Sequence, residues 1–505
     1  MNHWLTAPIL IPLIGAIVQT FMGYAPISLR RTLAVATTLL LLASTLVLLA
    51  MADDGSYRVY AFGNWQPPFG IVLVLDRLAA LMLVITSILA LFCHLFSLGG
   101  SDEGNRQFHT LFLFQLMGLN IAFLTGDLFN LFVAFEVLLI ASYGLLMHGG
   151  GTVRTVPGLH YVVLNLIGSA VFLISVGMIY SVTGTLNMAD LAVKVREVSG
   201  ENLQIVKAGG MMLLVVFALK AALLPLCFWL PKAYATATAP VAALFAVMTK
   251  VGVYAIIRVY LLIFGDAAGP VANLGMDWVF PLALITLAMG VIGALGADNF
   301  RSLFAWQVII SVGTLLAPIA LGSSASLSAA LFYMISTTWT VAGLFLVADL
   351  VASQRGTALD RIVTAPKMRH RTFLSVLYLL GVLAAAGLPP LSGFLGKVLI
   401  LNSVEPGPQM AWLWSVLLVG SFLSLIVYSR AGSIVFWRTV DGHLEKPESL
   451  KRVTSLAATG LIAMSIVIVA LASPINRYTE ATADQLLNPE SYIQILDTTM
   501  VGEDT

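Results

Sequence analysis

The chain of 505 residues has few charged residues: Asp, Glu, Lys and Arg together make up 10% of it, whereas about a quarter of a soluble globular domain is charged. Hydrophobic residues make up 59%, so too little polar surface is available to face water. This balance excludes a soluble globular protein and predicts surroundings that are largely lipid. The net charge of +1 supplies no basic field, and we expect no nucleic acid among the partners.

Cysteine is equally scarce. Cys93 and Cys227 each lie in an apolar run without metal-ligand spacing, which excludes a disulfide framework and is typical of buried structural thiols. The sequence contains no nucleotide-binding glycine motif, cysteine cluster or histidine-rich site. We therefore expect no cofactor and no metal, and energy must come from an ion gradient or from another subunit. No Lys or Arg precedes the first apolar run, which predicts a membrane helix there rather than a cleaved signal peptide.

Long apolar runs are what the sequence has in abundance. A membrane-spanning helix needs about 20 mostly apolar residues, and about fourteen segments meet this requirement. These segments, which we number as spans 1 to 14, lie near 5–22, 33–51, 71–98, 108–126, 128–148, 159–184, 209–230, 239–264, 275–297, 303–321, 327–352, 372–403, 410–437 and 453–474. The predicted class is an all-α polytopic membrane protein with a single membrane domain over 1–505.

The loops that follow odd-numbered spans carry most of the Lys and Arg residues, and such loops are typically cytoplasmic. The basic residues in these loops are Arg30, Arg31, Arg154, Arg355, Arg361, Lys367, Arg369, Arg371, Arg438, Lys446, Lys451 and Arg452. With an even number of spans, this pattern predicts that both termini face outward. The segment 475–505 is then a short polar tail on the outer side.

A few charged residues lie in the middle of spans, where a charge costs about 2.5–3.5 kcal/mol. They are Glu136 in span 5, Lys220 in span 7, Lys250 in span 8 and Lys397 in span 12. At least one pair should neutralise, and Glu136 with Lys220 is the preferred pair. The remaining buried lysines suit a proton relay, because a desolvated amine can lose and regain a proton. Structural ion pairs that lock helices together are the alternative interpretation.

Other polar residues near the ends of spans are weaker candidates. Asp76 and Arg77 lie near the start of span 3, where they pair locally or extend toward the membrane surface. His94 and His109 lie near span ends and are more typical of interfacial histidines than of proton carriers. Asp349 follows a long apolar run, and we expect it to reach the cytoplasmic surface.

Proline and glycine interrupt spans 7 and 12, which predicts a broken helix in each. The interrupting residues are Pro225, Pro231, Gly387, Pro389 and Pro390. Aligned on Pro225 and Pro390, both segments read Pro-Leu-x-x-aromatic-Leu-(Pro/Gly)-Lys, and the last position holds Lys232 in one and Lys397 in the other. Lys232 is therefore a weaker relay candidate. Because five spans separate the copies, they predict two inverted repeats, over 108–264 and 275–437, around a transport path.

Four segments make the chain recognisable: GDLFNLFVAFEVLLIASYGLL (126–146), the segment MMLLVVFALKAALLPL around Lys220, WLPKAYATATAPVAALFAVMTKVGVYA (229–255) and AAAGLPPLSGFLGK (384–397). On these residues it resembles the antiporter-like family that is shared by proton-pumping membrane subunits of NADH–quinone oxidoreductase and large subunits of Mrp-type cation/proton antiporters. Within that family it looks most like the D subunits of Mrp complexes. The resemblance covers nearly the whole chain and implies fourteen helices with two inverted five-helix repeats, each with one broken helix.

The resemblance also implies a function. Glu136, Lys220, Lys250 and Lys397 match the positions of the family's proton relay. The chain would be a proton-translocating, non-enzymatic subunit of a multisubunit Na⁺ or K⁺/proton antiporter in the bacterial cytoplasmic membrane. Its partners would be the other subunits of the complex, protons, Na⁺ or K⁺, and the lipid bilayer. Two alternatives stay open: a proton-pumping membrane subunit of a quinone reductase or membrane hydrogenase, and a scaffold that no longer transports.

The sequence departs from the family pattern in its second half. Thr337 and Val341 stand where many members have a His and a Lys in the eleventh helix, and Gln307 stands where others often have His. The resemblance therefore implies a path through the second half that uses Lys397 with water, or a different carried ion.

Overall fold

The computed structural model describes residues 3–65, 70–440 and 449–494, and most of these residues are helical. The helices are α1 (Ala7–Phe21), α2 (Ile27–Ala52), α3 (Arg77–Ser97), α4 (Phe108–Leu124), α5 (Leu128–Leu146), α6 (Thr152–Thr183), α7 (Met188–Lys194), α8 (Gly200–Ala221), α9 (Leu230–Thr236), α10 (Ala239–Leu262), α11 (Met276–Leu295), α12 (Phe300–Ala320), α13 (Ser324–Ser353), α14 (Arg371–Ala386), α15 (Ser392–Asn402), α16 (Pro408–Gly432), α17 (Arg452–Ala470) and α18 (Ala472–Leu486). The predicted helical class is confirmed.

Two very small sheets lie in the loops. Strands β1 (Arg58–Ala61) and β2 (Val72–Leu75) pair antiparallel, and β3 (Ala365–Pro366) and β4 (Thr439–Val440) pair parallel. The prediction had included β2 in span 3, and this boundary was wrong. An apolar run alone does not distinguish a buried strand from a helix. The helix begins only at Arg77, because the carboxylate of Asp76 caps it by accepting a hydrogen bond from the backbone N–H of Ala79 at 2.8 Å.

Each predicted span coincides with a helix or with two consecutive helices. Within the described ranges, twelve helices are long and apolar enough to cross a membrane. Three shorter apolar helices also lie at predicted spans: α4 at span 4, and α14 with α15 at span 12. The multi-pass architecture is confirmed. The total of fourteen crossings and the inverted repeat stay predictions.

Contacts between loops divide the structure into two faces. The loops after α1, α3, α5, α9, α11, α13 and α16 form one face, which we call the odd-loop face. Its contacts join Arg31 to Asp102, His148 to the carbonyl of Ser101, Arg154 to that of Thr236, Lys451 to that of Gly99, Asn299 to Arg361, and β3 to β4. The chain thus returns to this face after every second predicted span, as the loop charges indicated.

The opposite face, which we call the even-loop face, contains both ends of the described chain. Its contacts join β1 to β2, Leu73 to Thr125, Asp127 to Asn187, Arg196 to Glu490, and Ser324 to Asp484. The predicted polar tail begins here as helix α18, where Thr479 accepts a hydrogen bond from Ser328 of α13 at 3.0 Å. Residues 495–505 of that tail, and Lys446 among the basic loop residues, lie outside the described residues.

Helices α10 and α13 form the centre of the bundle, since their most apolar stretches are entirely buried. Peripheral helices expose large apolar side chains, for example Ile140 on α5 and Leu456 on α17, as expected of surfaces that face lipid or other subunits. Small residues allow close approach at the centre. A Cβ added to Gly252 of α10 would lie 2.4 Å from the backbone nitrogen of Ala221, so α8 and α10 touch beside Lys220.

The two predicted broken helices are present. Helix α8 ends before Ala222 (φ +62°) and α14 ends before Gly387 (φ +85°). In both segments the backbone thus enters the left-handed region three residues before the aligned proline. The peptide bonds that precede Pro225 and Pro390 are both cis. Thr286 of α11 accepts a hydrogen bond from the freed backbone N–H of Leu224 at 2.9 Å, which satisfies a donor that the break exposes.

Four of the five predicted helix-breaking residues lie at the breaks, and Pro231 does not. The unwound segment after α8 contains Pro225, while Pro389 and Pro390 follow the C-cap residue Gly387. Pro231 instead lies in the first turn of α9. The backbone nitrogens of a first turn have no partner within the helix, so proline is tolerated there and helps to start the helix rather than to break it.

Candidate functional site

Glu136 of α5 and Lys220 of α8 both contact α6, which provides a hydrogen-bond partner for each. Ser169 donates a short hydrogen bond to Glu136 Oε1, and Lys220 Nζ donates to Asn165 Oδ1 at 3.2 Å. Asn165 and Ser169 are four residues apart and therefore share one face of α6. Glu136 and Lys220 do not form an ion pair in this structure, and each is held by a neutral partner on α6 instead.

The two residues differ in burial. Lys220 is 5% exposed, whereas Glu136 is only partly buried. Glu136 lies near the edge of the bundle, because Val133 and Ile140 on the same helix are exposed. A carboxylate in the middle of a membrane-spanning helix is expensive to leave facing lipid. We therefore expect protein to cover this side of α5.

Lys250 lies at the centre of the bundle on α10 and is 0% exposed. Its Nζ donates to Ser311 Oγ of α12 at 2.8 Å and to Thr249 Oγ1 at 3.4 Å. Among the described residues, the ion pairs include neither Lys250 nor the other mid-membrane lysines. Hydroxyl oxygens can accept from an ammonium but do not neutralise it, so the described residues provide Lys250 with hydrogen-bond partners and no counter-charge.

Lys397 lies on α15, immediately after the second helix break. Its Nζ donates to the backbone carbonyl of Ala386 at 2.7 Å, to that of Ala385 at 3.4 Å and to Ser421 Oγ at 2.8 Å. These carbonyls belong to the last turn of α14, whose backbone partners are removed by the break. The negative end of the α14 dipole therefore stabilises the ammonium.

Polar side chains connect the surroundings of Lys397 to α12. Gln307 Nε2 donates to the same carbonyl of Ala385 at 3.4 Å, and Tyr428 donates to Gln307 Oε1 at 2.5 Å. Ser336 of α13 and Ser392 of α15 share a hydrogen bond of 2.8 Å. Gln307 lies four residues before Ser311, the partner of Lys250, on the same helix. Between Lys250 and Lys397 the structure thus provides neutral hydrogen-bonding groups rather than charges.

The structure leaves Lys232 outside this arrangement. It lies on α9 close to the odd-loop face, and its side chain is exposed. The eleventh-helix positions Thr337 and Val341 are both buried on α13, at the centre of the bundle. Of the predicted relay residues, Lys220, Lys250 and Lys397 are buried within the bundle. Glu136 lies nearer its edge, and Lys232 is exposed near the odd-loop face.

A buried ion pair was missed by the sequence reasoning. Asp76 was expected to pair with Arg77 or to extend toward the surface, and this was wrong: its carboxylate receives two hydrogen bonds from Arg258 of α10, at 2.6 and 2.7 Å. Arg77 donates instead to the backbone carbonyl of Asp53 at 2.6 Å. Arg258 lies inside span 8, so the search for charges within spans could have found it. Its partner, 182 residues away, could not be found in this way.

The two histidines belong to a separate polar cluster at the odd-loop face. His109 Nε2 lies 3.1 Å from Asp102 Oδ2, and its Nδ1 lies 3.5 Å from His94 Nε2. Burial alone would raise the pKa of Asp102, but hydrogen bonds from Arg31 and His109 outweigh it and hold that pKa below its usual range. Asp349 pairs with Arg301 at 2.6 Å near the same face. These contacts join loops and helix ends and leave the mid-membrane lysines untouched.

The described ranges contain no group of three or more His, Cys, Asp or Glu positioned to hold a metal ion. The class that the fold and site define is a polytopic membrane protein with ionisable side chains within its membrane-spanning helices. Residues 125–427 match the family described as NADH:quinone oxidoreductase/Mrp antiporter, TM. The chain belongs to this family.

Full-length relatives and a solved structure agree with this assignment. The chain is 40% identical to the D subunit of a probable K⁺/H⁺ antiporter of Rhizobium meliloti, over 97% of this chain and 96% of that protein. It is 35% identical to the D subunit of a Na⁺/H⁺ antiporter of Alkalihalophilus pseudofirmus, over 98% and 99%. A chain of the Mrp complex from Dietzia sp. superposes with a TM-score of 0.87 at 27% identity, over 98% of this chain and 100% of that one.

Proposed function

We propose that this chain is the D-type, proton-translocating subunit of a multisubunit monovalent cation/proton antiporter, which exchanges Na⁺ or K⁺ for protons. Its partners are the other subunits of the complex and the lipid bilayer. The observation that carries the proposal is the presence, within the membrane-spanning helices, of three buried lysines that the described residues leave without ion-pair partners and of one carboxylate. Such charges are costly to keep in a membrane, and this cost favours a role in transport.

In the first half of the path, Glu136 and Lys220 act as a pair that opens and closes. In the open state seen here, Ser169 and Asn165 hold the two charges apart on α6. Attraction between opposite charges is strong in a medium of low dielectric constant, so a closed state with direct contact retains the proton on Lys220. In the open state that retention weakens, and Lys220 can pass its proton toward Lys250 across the close contact at Gly252.

In the second half of the path, the proton moves from Lys250 past Ser311 and Gln307 to Lys397. The side chains between the two lysines are hydrogen-bonding and uncharged, which suits transfer through hydroxyl groups and water. Lys397 is then the last carrier before the membrane surface. Lys232 is an anchor on the odd-loop face in this scheme and takes no part in the relay.

Exchange in membrane vesicles tests this proposal. We expect Lys220→Ala or Glu136→Ala to lower cation/proton exchange by about a hundredfold, because a positioned proton-transfer group typically contributes 10²–10⁴ in rate. Assembly of the complex should be retained and is checked by native gel electrophoresis. Lys232→Ala is the matched control, since it removes an exposed lysine and should exchange normally. Normal exchange by an assembled Lys220→Ala complex would contradict the proposal.

The second candidate is a proton-pumping membrane subunit of a redox complex, because the family includes subunits of NADH:quinone oxidoreductase. The redox chemistry would then belong to other subunits. Full-length identity of 35–40% to antiporter D subunits favours the first candidate. Mass spectrometry of the intact complex, purified in mild detergent through this chain, distinguishes the two. Small membrane subunits alone support the antiporter, and flavin or iron–sulfur subunits in the same particle support the alternative.

We also propose that the odd-loop face is cytoplasmic in the bacterial cytoplasmic membrane, with both termini outside. The basic residues of these loops support this orientation. A C-terminal alkaline phosphatase fusion should be active, because that enzyme folds only outside the cytoplasm, and a C-terminal green fluorescent protein fusion should be dark. The reverse result would invert the orientation.

A further inference from the structure

The ion pair of Asp76 and Arg258 lies on the route from the proposed relay to the even-loop face. Asp76 is 1% exposed and Arg258 is 4% exposed, and the guanidinium binds both carboxylate oxygens. Asp76 begins α3 near the even-loop face, whereas Arg258 lies within α10, the helix that carries Lys250. A buried ion pair contributes little net stability compared with apolar residues of similar volume. Stability alone therefore does not account for it.

The residues between this pair and Lys250 are also polar. Lys250, Tyr254 and Arg258 follow one another at intervals of four residues, so they lie along one side of α10 and span about 12 Å. The hydroxyl of Tyr254 accepts a hydrogen bond from Arg258 Nε at 3.2 Å and donates to the carbonyl of Phe123 at 2.7 Å. A column of polar and ionisable groups thus leads from the middle of the membrane toward the even-loop face.

The C-terminal segment closes the outer end of this column. Tyr492 packs against Tyr57 with their ring centres 5.4 Å apart, and the guanidinium of Arg258 lies 5.7 Å from the Tyr492 ring. The Tyr492 hydroxyl is buried without a hydrogen-bond partner. A void of about 10 Å³ beside these three residues is also lined by Gln485 and Pro489, and it offers room for about one water molecule. The outer end of the column is therefore shut in this structure by Tyr57 together with side chains of the C-terminal segment, among them Tyr492.

We propose that Asp76 and Arg258 form the gate through which Lys250 exchanges protons with the even-loop face, the carboxylate of Asp76 binding either the guanidinium of Arg258 or a proton. This inference rests on the relay function proposed for Lys250. When Asp76 Oδ2 takes a proton from water, the neutral acid releases Arg258, which keeps its charge and turns toward the rings of Tyr254 and Tyr492. Asp76 then gives its proton to the Tyr254 hydroxyl as that hydroxyl passes its own toward Lys250, and Arg258 returns to the carboxylate.

All titratable groups around the carboxylate bear on this exchange. Those that face Asp76 are Arg258 and Tyr254 on α10, Tyr57 before β1, Arg77 on α3, Tyr478 on α18 and Tyr492 after it. A tyrosine has an ordinary pKa of about 10 and is therefore neutral near pH 7, and burial raises the pKa of Tyr57, outside the membrane helices, further. Arg258 is thus the cation in direct contact with the carboxylate, and its position decides whether Asp76 can accept a proton.

Variants of the Asp76–Arg258 pair in the assembled complex distinguish a proton gate from a structural lock, that is, an ion pair that only holds α3 and α10 together. Asp76→Asn mimics the protonated acid and cannot release a proton, so exchange should fall about tenfold or more and lose its pH dependence. The double variant Asp76→Leu, Arg258→Met removes both charges at similar volume and should assemble but exchange equally poorly. Arg258→Lys keeps a cation and should retain most of the exchange. Asp349→Asn, which breaks the Arg301 pair near the odd-loop face, is the matched control and should exchange normally.

A wild-type rate and pH profile in the assembled double variant would overturn the gate and leave the pair as a structural lock. Carbodiimide labelling of the wild-type complex provides a measurement that does not depend on the folding of variants, because the reagent modifies protonated carboxyl groups. Labelling of Asp76 should increase as the pH falls, and its absence at every pH would also overturn the gate. Lys250→Ala shows which of the two proposals fails. Normal exchange by Lys250→Ala would contradict the relay. Lost exchange by Lys250→Ala, together with normal exchange by the double variant, would contradict only the gate.

Discussion

The two halves of the bundle, α4–α10 and α11–α16, each contain a broken helix, but they differ in their charged residues. In each half a helix ends at a residue in the left-handed region, and this residue lies three positions before the aligned proline. The first half contains a carboxylate and an amine, Glu136 and Lys220, which α6 holds apart. The second half contains Lys397 with neutral oxygen acceptors. The shared element is thus the opened helix rather than the charge pattern.

The position of the lysines teaches more than their sequence alignment. Lys232 matches Lys397 by sequence, but it is exposed near the odd-loop face. Lys220 instead lies in the last turn of α8, and Lys397 reaches back to the carbonyls of the last turn of α14. The ammonium group of Lys397 therefore lies at the negative end of the helix that precedes its break, whereas that of Lys220 donates to Asn165 of α6. The two halves thus place a lysine beside the break from opposite sides of it.

Replacing Lys397 by Glu gives the largest effect that this comparison predicts. A carboxylate would face the carbonyls of Ala385 and Ala386 at the negative end of α14, and the hydroxyl of Ser421 alone would not offset this repulsion. We expect exchange to fall about a hundredfold, measured as cation-dependent proton movement in vesicles. Lys232→Glu, at the matching sequence position, should exchange normally. Equal loss in both variants would mean that sequence alignment, not electrostatic position, defines the equivalent residues.

Replacing Asn165, the hydrogen-bond partner of Lys220, tests the first half in the same way. Asn165→Leu removes the oxygen that holds Lys220 away from Glu136, so the closed pair should be favoured and exchange should slow by about tenfold. Asn165→Asp adds a second carboxylate and should retain the proton more firmly still. A rate equal to that of the wild type in Asn165→Leu would show that α6 does not control the pair. Assembly on native gels is again the control.

Much of the fold was predictable because the membrane imposes one rule on every span. Apolar length located each helix or helix pair, and loop charge gave the alternation of faces that Arg31 and Lys451 now show. The start of α3 was wrong by several residues, because apolar length does not reveal a strand such as Val72–Leu75. Proline identified both breaks but not their limits, since Pro231 suits the first turn of α9 as well as it suits a break.

The candidate site was predictable in its charged members and not in their partners. A charge within an apolar run identifies Glu136, Lys220, Lys250 and Lys397 without any structure. The partners of these residues are Asn, Ser and backbone carbonyls, which are common in membrane helices and carry no signal of their own. The contact of Asp76 with Arg258 joins α3 to α10, and only the packing of the bundle brings these residues together.

Substitutions at the two left-handed residues give the smallest effect and act on stability. Gly387→Ala adds a Cβ that would lie 2.6 Å from Lys397 Cδ, at a φ of +85° that costs an L-residue about 1 kcal/mol. Ala222→Gly relieves the same cost in the first half and should stabilise by about 1 kcal/mol. Thermal unfolding of the purified complex should therefore shift in opposite directions for the two variants.

The same two variants also distinguish the effect of the backbone conformation at the break from the effect of the position of the lysine on transport. Gly387→Ala displaces the stem of Lys397 and should slow exchange several-fold, whereas Ala222→Gly leaves Lys220 in the last turn of α8 and should exchange at the normal rate. If Ala222→Gly slowed exchange as much as Gly387→Ala, the rigidity of the first break would itself be required. The opened helix would then do more in the first half than position an ammonium group.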